Sequence, residues 1–200
     1  MPIARILPWL ISSAMITLAC LFAWSTADAR QGDQTTTIFV GSALYTDGTA
    51  TTTGTTFGVK WALEFEPDWL WSISGQYSAA EGEEESGGQK YNLSAQTSTV
   101  QSGLTYLVNN HPKSVVVGLL GGGLSILWYE LDFDYPGSDI GRTSGVGPGA
   151  FVLAGVEIRV AKNIEIIPEY VISAHSIETE AGDRFSLVSA GLQVAIRLKF

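Results

Sequence analysis

Beyond residue 30, apolar side chains recur at every second position in segment after segment. No stretch there gathers the roughly 18 apolar residues of a membrane-spanning helix. Phe57, Val59, Trp61, Leu63 and Phe65 fall on one face of an extended chain, with Gly58, Lys60, Ala62 and Glu64 on the other. Trp69, Trp71, Ile73 and Tyr77 repeat the pattern, as do Val152, Ala154, Val156, Ile158 and Val160. Ile164, Ile166, Tyr170 and Ile172 follow, then Val188, Leu192, Val194, Ile196, Leu198 and Phe200. Three less regular segments, near residues 36–45, 90–108 and 114–129, bring the expected strands to eight. The second of these changes phase near Thr99, the mark of a bulge. The third carries Gly118, Gly121, Gly122 and Gly123, which suit a narrow barrel where chains pack closely.

Several function classes fall away on composition. The 200 residues suit one domain. A net charge of −9 argues against nucleic acid, whose phosphates call for a basic patch. One Cys excludes an internal disulfide and a Cys-based zinc cluster, and two His exclude a His-rich metal site. No cofactor and no metal site is expected.

The N-terminus reads as a targeting segment. Arg5 is the only charge before Asp28, and Leu10 to Trp24 is nearly all apolar. Ala27-Asp28-Ala29 then offers small residues at −3 and −1, so residues 1–29 are expected to be a secretory signal peptide. Two alternatives fit less well. The apolar run is short for an uncleaved anchor, and a lipoprotein signal at Cys20 would want Leu where Thr17 stands. Residues 30–200 then form the mature domain.

Connection lengths alternate. Short turns are expected at Glu66-Pro67-Asp68, at 109–113 and at Ala161-Lys162-Asn163. Long loops are expected over 46–55, 79–89, 130–147 and 176–184. Counted together with Lys90 just past the second, these four loops hold twelve acids, among them Glu83, Glu84, Glu85, Asp132, Asp134, Glu178 and Glu180, against Lys90, Arg142 and Arg184. That excess equals the whole net charge. Short turns at one end and long loops at the other describe an eight-stranded, antiparallel, up-and-down transmembrane β-barrel, an all-β fold. An immunoglobulin-like sandwich would not alternate so strictly. A soluble barrel of lipocalin type would turn its apolar face inward.

A bilayer leaves no backbone group unpaired, so the apolar faces are expected to meet lipid. Lys60, Glu64, Glu157, Arg159, Glu165, Glu169, Arg197 and Lys199 then point inward as a lumen charge network. Such groups fill an eight-stranded interior more readily than they line a pore. Two aromatic girdles are expected. One, near the turns, comprises Phe65, Trp69, Trp71, Tyr106 and Phe200; the other, near the loops, comprises Tyr45, Tyr77, Tyr91, Trp128 and Tyr129.

The chain ends on Phe200, with Leu198, Ile196, Val194 and Leu192 on its face. Gln193, Leu198 and Phe200 resemble the C-terminal assembly signal of bacterial outer-membrane barrels, with Ala195 where Gly is usual. Gly149 to Tyr170, with Gly155, Glu157 and Glu169, resembles the late strands of small OmpA-like and OmpW-like barrel domains. The resemblance implies an outer-membrane location. It implies outer-membrane lipid, lipopolysaccharide and the barrel-assembly machinery as partners, and a structural role in the envelope or contacts made through the acidic loops. A small pore is an alternative. So is a lipid A esterase, because PagL-type deacylases work with His and Ser on a barrel wall. His175 and Ser176 are the weak candidates here. The deacylase pattern is His-x-Ser-Asn, whereas these two residues are adjacent and so face opposite ways. Glu83-Glu84-Glu85 and Asp132-x-Asp134 lack the spacing of an EF-hand loop, and Gly121-Gly122-Gly123 lacks the Lys-Ser/Thr of a phosphate loop.

Overall fold

The computed structural model describes residues 34–46, 51–86, 89–111, 113–134, 141–179 and 184–199. The expected signal peptide and Phe200 lie outside these residues. Eight strands follow one another: β1 (Gln34–Thr46), β2 (Thr51–Glu66), β3 (Trp69–Ser86), β4 (Gln89–Val108), β5 (Val116–Asp134), β6 (Gly141–Ala161), β7 (Ile164–Thr179) and β8 (Arg184–Lys199). Each runs antiparallel to the next, and β8 returns to pair with β1 from Thr35↔Lys199 to Thr46↔Val188, closing the barrel.

Period-two alternation becomes an inside and an outside. Ile38, Val40, Leu120, Leu124, Val152, Leu192 and Ile196 stand outward, Leu124 with 74% and Ile38 with 63% of its surface uncovered. Their inward neighbours Phe39, Leu119, Leu153 and Ala195 are buried. An apolar belt of this extent is tolerated only where hydrocarbon covers it.

Short turns gather at one end. Asp68 and Asn109 take left-handed backbone conformations (φ 72° and 62°) that Asp and Asn enter more easily than most residues. The Leu107 amide donates to the Asp68 carbonyl at 2.8 Å and ties the β2–β3 turn to the end of β4. Register shifts occur beside two turns, at Glu64/Glu66 and Arg159/Ala161.

Three expectations are corrected. The ladders on both sides of β4 run without a shift through Thr99, so no bulge lies there. The phase change has another source: before Thr99 the apolar residue is Ala95, turned inward, whereas beyond it Leu104 and Tyr106 face outward. Tyr45 and Tyr129 belong to the lumen, not to a girdle; both are buried in one apolar cluster with Leu127 and Ile177. Finally, most residues assigned to long loops are strand. β3 and β4 pair out to Ser86↔Gln89, and β5 and β6 to Phe133↔Gly141.

Inward glycines admit large neighbours. A Cβ on Gly58 would run into the Phe39 ring and the Gly75 carbonyl. Gly58→Val is therefore expected to destabilise the barrel by about 1–3 kcal/mol, read as a lowered urea midpoint in detergent micelles. The closed ladder also predicts that unboiled protein from a membrane fraction migrates differently on a gel from boiled protein.

Candidate functional site

The lumen is where the chain spends its buried charge. At the turn end, β6, β7 and β8 each bring an acid or a base inward. Glu157 and Glu165 keep only 1% and 2% of their surface exposed, which carboxylates do only when paired. Arg197 Nη1 reaches Glu157 Oε2 at 2.6 Å and Glu165 Oε2 at 3.2 Å. Arg159 Nε donates to Glu157 Oε1 at 2.9 Å and lies 3.7 Å from Glu165 Oε1. Two acids and two bases thus form a neutral square. Arg159 also extends to the β4–β5 turn, where Nη1 donates to the His111 carbonyl at 2.9 Å and Nη2 to Asn110 Oδ1. Across the lumen, Lys60 on β2 grips both carboxylate oxygens of Glu169 on β7, at 2.8 and 2.9 Å.

Six of the eight charges expected in the lumen are thus brought together in two groups. Glu64 is half-buried beside the β2 bulge. Lys199 ends β8, and its side chain lies outside the described residues.

Two apolar clusters occupy much of the remaining interior. Phe39, Leu70, Leu107, Val117, Leu119, Phe151, Leu153, Ile167, Val171 and Ala195 form the first. Ala43, Tyr45, Ala80, Ala95, Leu127, Tyr129, Ile177 and Leu187 form the second, toward the hairpin end. Between them runs a polar belt. Ser74 on β3 donates to Gln101 on β4 at 3.4 Å, and Gln101 is the register partner of Ser125 on β5. Ser125 Oγ lies 2.8 Å from His175 Nε2.

His175 is 2% exposed, and its ring lies over Gly149, where a Cβ would collide with it. Ser176, the other candidate from the sequence, stands on the opposite, exposed face. The two are not brought together. The serine that meets the histidine is Ser125, fifty positions earlier, and sequence spacing alone did not suggest it. Antiparallel pairing places Ser125 opposite Gly149 and Gly149 opposite His175, but the β5–β6 connection is long and the β6–β7 ladder shifts at Arg159/Ala161, so counting along the sequence does not give this register. Among the described residues, no cluster of three or more His, Cys, Asp or Glu is arranged to hold a metal.

At the C-terminus, Leu192, Val194, Ile196 and Leu198 face outward while Gln193 is buried inward. Outside the barrel, Trp69 and Tyr106 pack at 5.1 Å and Trp61 meets Trp71 edge-on at 5.7 Å, an aromatic rim at the turn end. Phe57 and Tyr77 pair at 5.4 Å toward the hairpin end.

The square predicts a cost for breaking it. Glu157→Gln strips a partner from two arginines and is expected to lower stability by about 3–5 kcal/mol. Pairing the change with Arg197→Met should recover part of that loss, as read by urea titration.

Residues 13–196 match the family model described as the outer membrane protein beta-barrel domain. No curated protein matches the sequence significantly. Among solved structures, Neisserial surface protein A superposes with a TM-score of 0.56 at 14% identity, over 84% of this chain and 97% of its own. Ail, the attachment invasion locus protein of Yersinia pestis, gives 0.50 at 14%, over 84% and 99%. OprG from Pseudomonas aeruginosa gives 0.51 at 11%, over 84% and 96%. At such identities these likenesses concern the fold.

Proposed function

Because the chain belongs to the outer membrane protein beta-barrel domain family, we propose that it is a non-conducting, non-enzymatic barrel of the bacterial outer membrane. Its role is to reinforce the envelope and to present its hairpin end at the cell surface. In this class the short turns face the periplasm and the longer connections face outward.

The observation that carries this reading is the filled lumen. An ion would have to displace the Arg197–Glu157–Arg159–Glu165 square, whose acids and bases pair with one another and whose Arg159 binds the β4–β5 turn. It would then meet the two apolar clusters. Eight strands leave little width to route around them.

The esterase reading finds less support. An enzyme that cleaves a lipid acyl chain on the barrel wall needs its base and nucleophile on the lipid-facing side. Ser176 is on that side; His175 is inside, bonded to Ser125. The proposed partners follow from location. They are outer-membrane lipid and lipopolysaccharide around the belt, and the barrel-assembly machinery acting on the C-terminal sequence that includes Gln193, Leu198 and Phe200.

Two measurements test the proposal. Purified protein in a planar bilayer is expected to give no single-channel steps, and regular steps would overturn the non-conducting reading. Lipid A from cells with the protein, without it, or with His175→Ala is expected to have one mass profile. Loss of an acyl chain that depends on His175 would make the protein an enzyme.

A further inference from the structure

Strand register joins side chains into a path that spacing along the chain does not show. From Arg159 on β6 the ladders step to Glu165 on β7, Arg197 on β8 and Thr37 on β1. They step on to Lys60, Ser74, Gln101 and Ser125, on β2 to β5 in turn. The row returns to β6 at Gly149, ten positions from Arg159, and passes to His175 on β7. One circuit of the barrel thus climbs ten residues. At about 3.4 Å per residue and a tilt near 45°, the climb is about 24 Å, close to the roughly 25 Å of the apolar band. The flanking residues agree. Exposed Lys162 and Asn163 precede its start on β7, and exposed Ser176 and Glu178 adjoin its end. The row crosses the membrane from edge to edge.

Every member except Gly149 carries a polar side chain. Glycine at that point lets His175 reach over to Ser125, at 2.8 Å, because a Cβ would strike the ring. Other steps are closed by direct contact. Arg159 Nε lies 3.7 Å and Arg197 Nη1 3.2 Å from Glu165, and Ser74 Oγ donates to Gln101 at 3.4 Å. Further steps fall beside buried polar atoms that have no protein partner. These are Arg197 Nε and Thr37 Oγ1 where β8 meets β1, Gln101 Nε2 next to Ser125, and His175 Nδ1 at the end. Water is the ordinary partner of such atoms in a protein interior. Packing alone would be served as well by valine at Thr37, whose hydroxyl is buried and bonds to nothing in the protein.

We propose that this row relays protons across the membrane, through its side chains and bridging water, while passing no other ion. Hydroxyl, carboxylate and imidazole groups accept hydrogen on one side and release it on the other. At each step one O–H or N–H bond forms as another breaks. Charge advances, no atom travels the length of the barrel, and a pH difference is the whole driving force. Arg197 and Gln101 stay as they are and orient the water between their neighbours. The ion pairs confer selectivity. A hydrated cation would have to part Arg197 from Glu157 and Glu165, and Lys60 from Glu169. A proton is handed along beside them. Lines of ionisable groups within a membrane are the material of proton relays. The inference goes beyond the reading above, in which no ion passes the lumen, and leaves it standing.

The test uses the full barrel in phosphatidylcholine vesicles that enclose a pH-sensitive dye. A potassium gradient with valinomycin drives the protons. Potassium and chloride fluxes are read in parallel with ion-selective electrodes, without valinomycin. Proton flux above that of protein-free vesicles is expected, with no flux of either ion. Thr37→Val keeps the shape and removes the hydroxyl; it is expected to cut proton flux about tenfold, the weight of one lost hydrogen-bonded step. Thr37→Ser keeps the hydroxyl and is expected to keep the flux. His175→Phe, which retains a ring without nitrogen, should also cut it. Each variant is checked for its heat-dependent gel shift. Unchanged flux in Thr37→Val or in His175→Phe would overturn the relay, as would equal loss in Thr37→Ser. Absence of proton flux with no ion flux discards this inference alone. Potassium or chloride flux discards the non-conducting reading as well.

Discussion

A chain in hydrocarbon must satisfy its own backbone, and here it does so by pairing β8 with β1. The other main features answer to that closure. Eight strands make a narrow ring, so inward side chains compete for space, and glycine appears where a ring must lie, as with Phe39 over Gly58 and His175 over Gly149. Lipid takes the apolar residues that a water-soluble protein would bury. The interior is left to ion pairs, hydroxyls and two apolar clusters of modest size. The inversion is clearest along β7, where Ile164, Ile166, Tyr170 and Ile172 face out while Glu165, Glu169, Ser173 and His175 are buried.

Burying charge in a closed ring is costly unless each charge meets its complement. The lumen meets that condition with little redundancy. Arg197 serves Glu157 and Glu165 together, and Arg159 joins the same acids to the carbonyl of a turn residue. The turn end is thus held by guanidinium groups that each bridge two carboxylates as well as by backbone ladders. The second half of the lumen, beyond the Ser125–His175 bond, relies instead on aromatic and aliphatic packing, with Phe185 meeting Tyr129 edge-on at 5.5 Å.

Much of this was legible in the sequence wherever the two faces of a strand meet different solvents. Strands β2, β7 and β8 announce themselves because lipid lies on one side and lumen on the other. The upper halves of β3 through β6 do not. There Glu83, Glu84 and Glu85 follow one another with no apolar alternation, and Asp132 and Asp134, although they alternate with Leu131 and Phe133, lead into Pro136 and Gly137, so both stretches read as loop although they lie in paired strands. Tyr45 and Tyr129 misled for a related reason: an aromatic near a rim suits a girdle and a lumen equally, and only strand phase separates them. The inward charges were visible one by one. Which acid meets which base depends on how the barrel staggers its strands, and spacing along the chain does not specify that.

The β1–β8 seam also has a consequence in time. Most of the other ladders join strands a turn or a hairpin apart, so each can form as soon as its two members exist. The seam joins Thr35 to Lys199 and Val40 to Val194, residues that meet only after nearly the whole chain has been delivered. Contacts this distant carry the largest entropy of closure and form late. Without that pairing β1 and β8 each keep an unpaired margin, one along Ile38 and Val40, the other along Val194 and Ile196. The last strand acts as a latch, and a chain that stops short of it has an unfinished edge where the finished one has a wall.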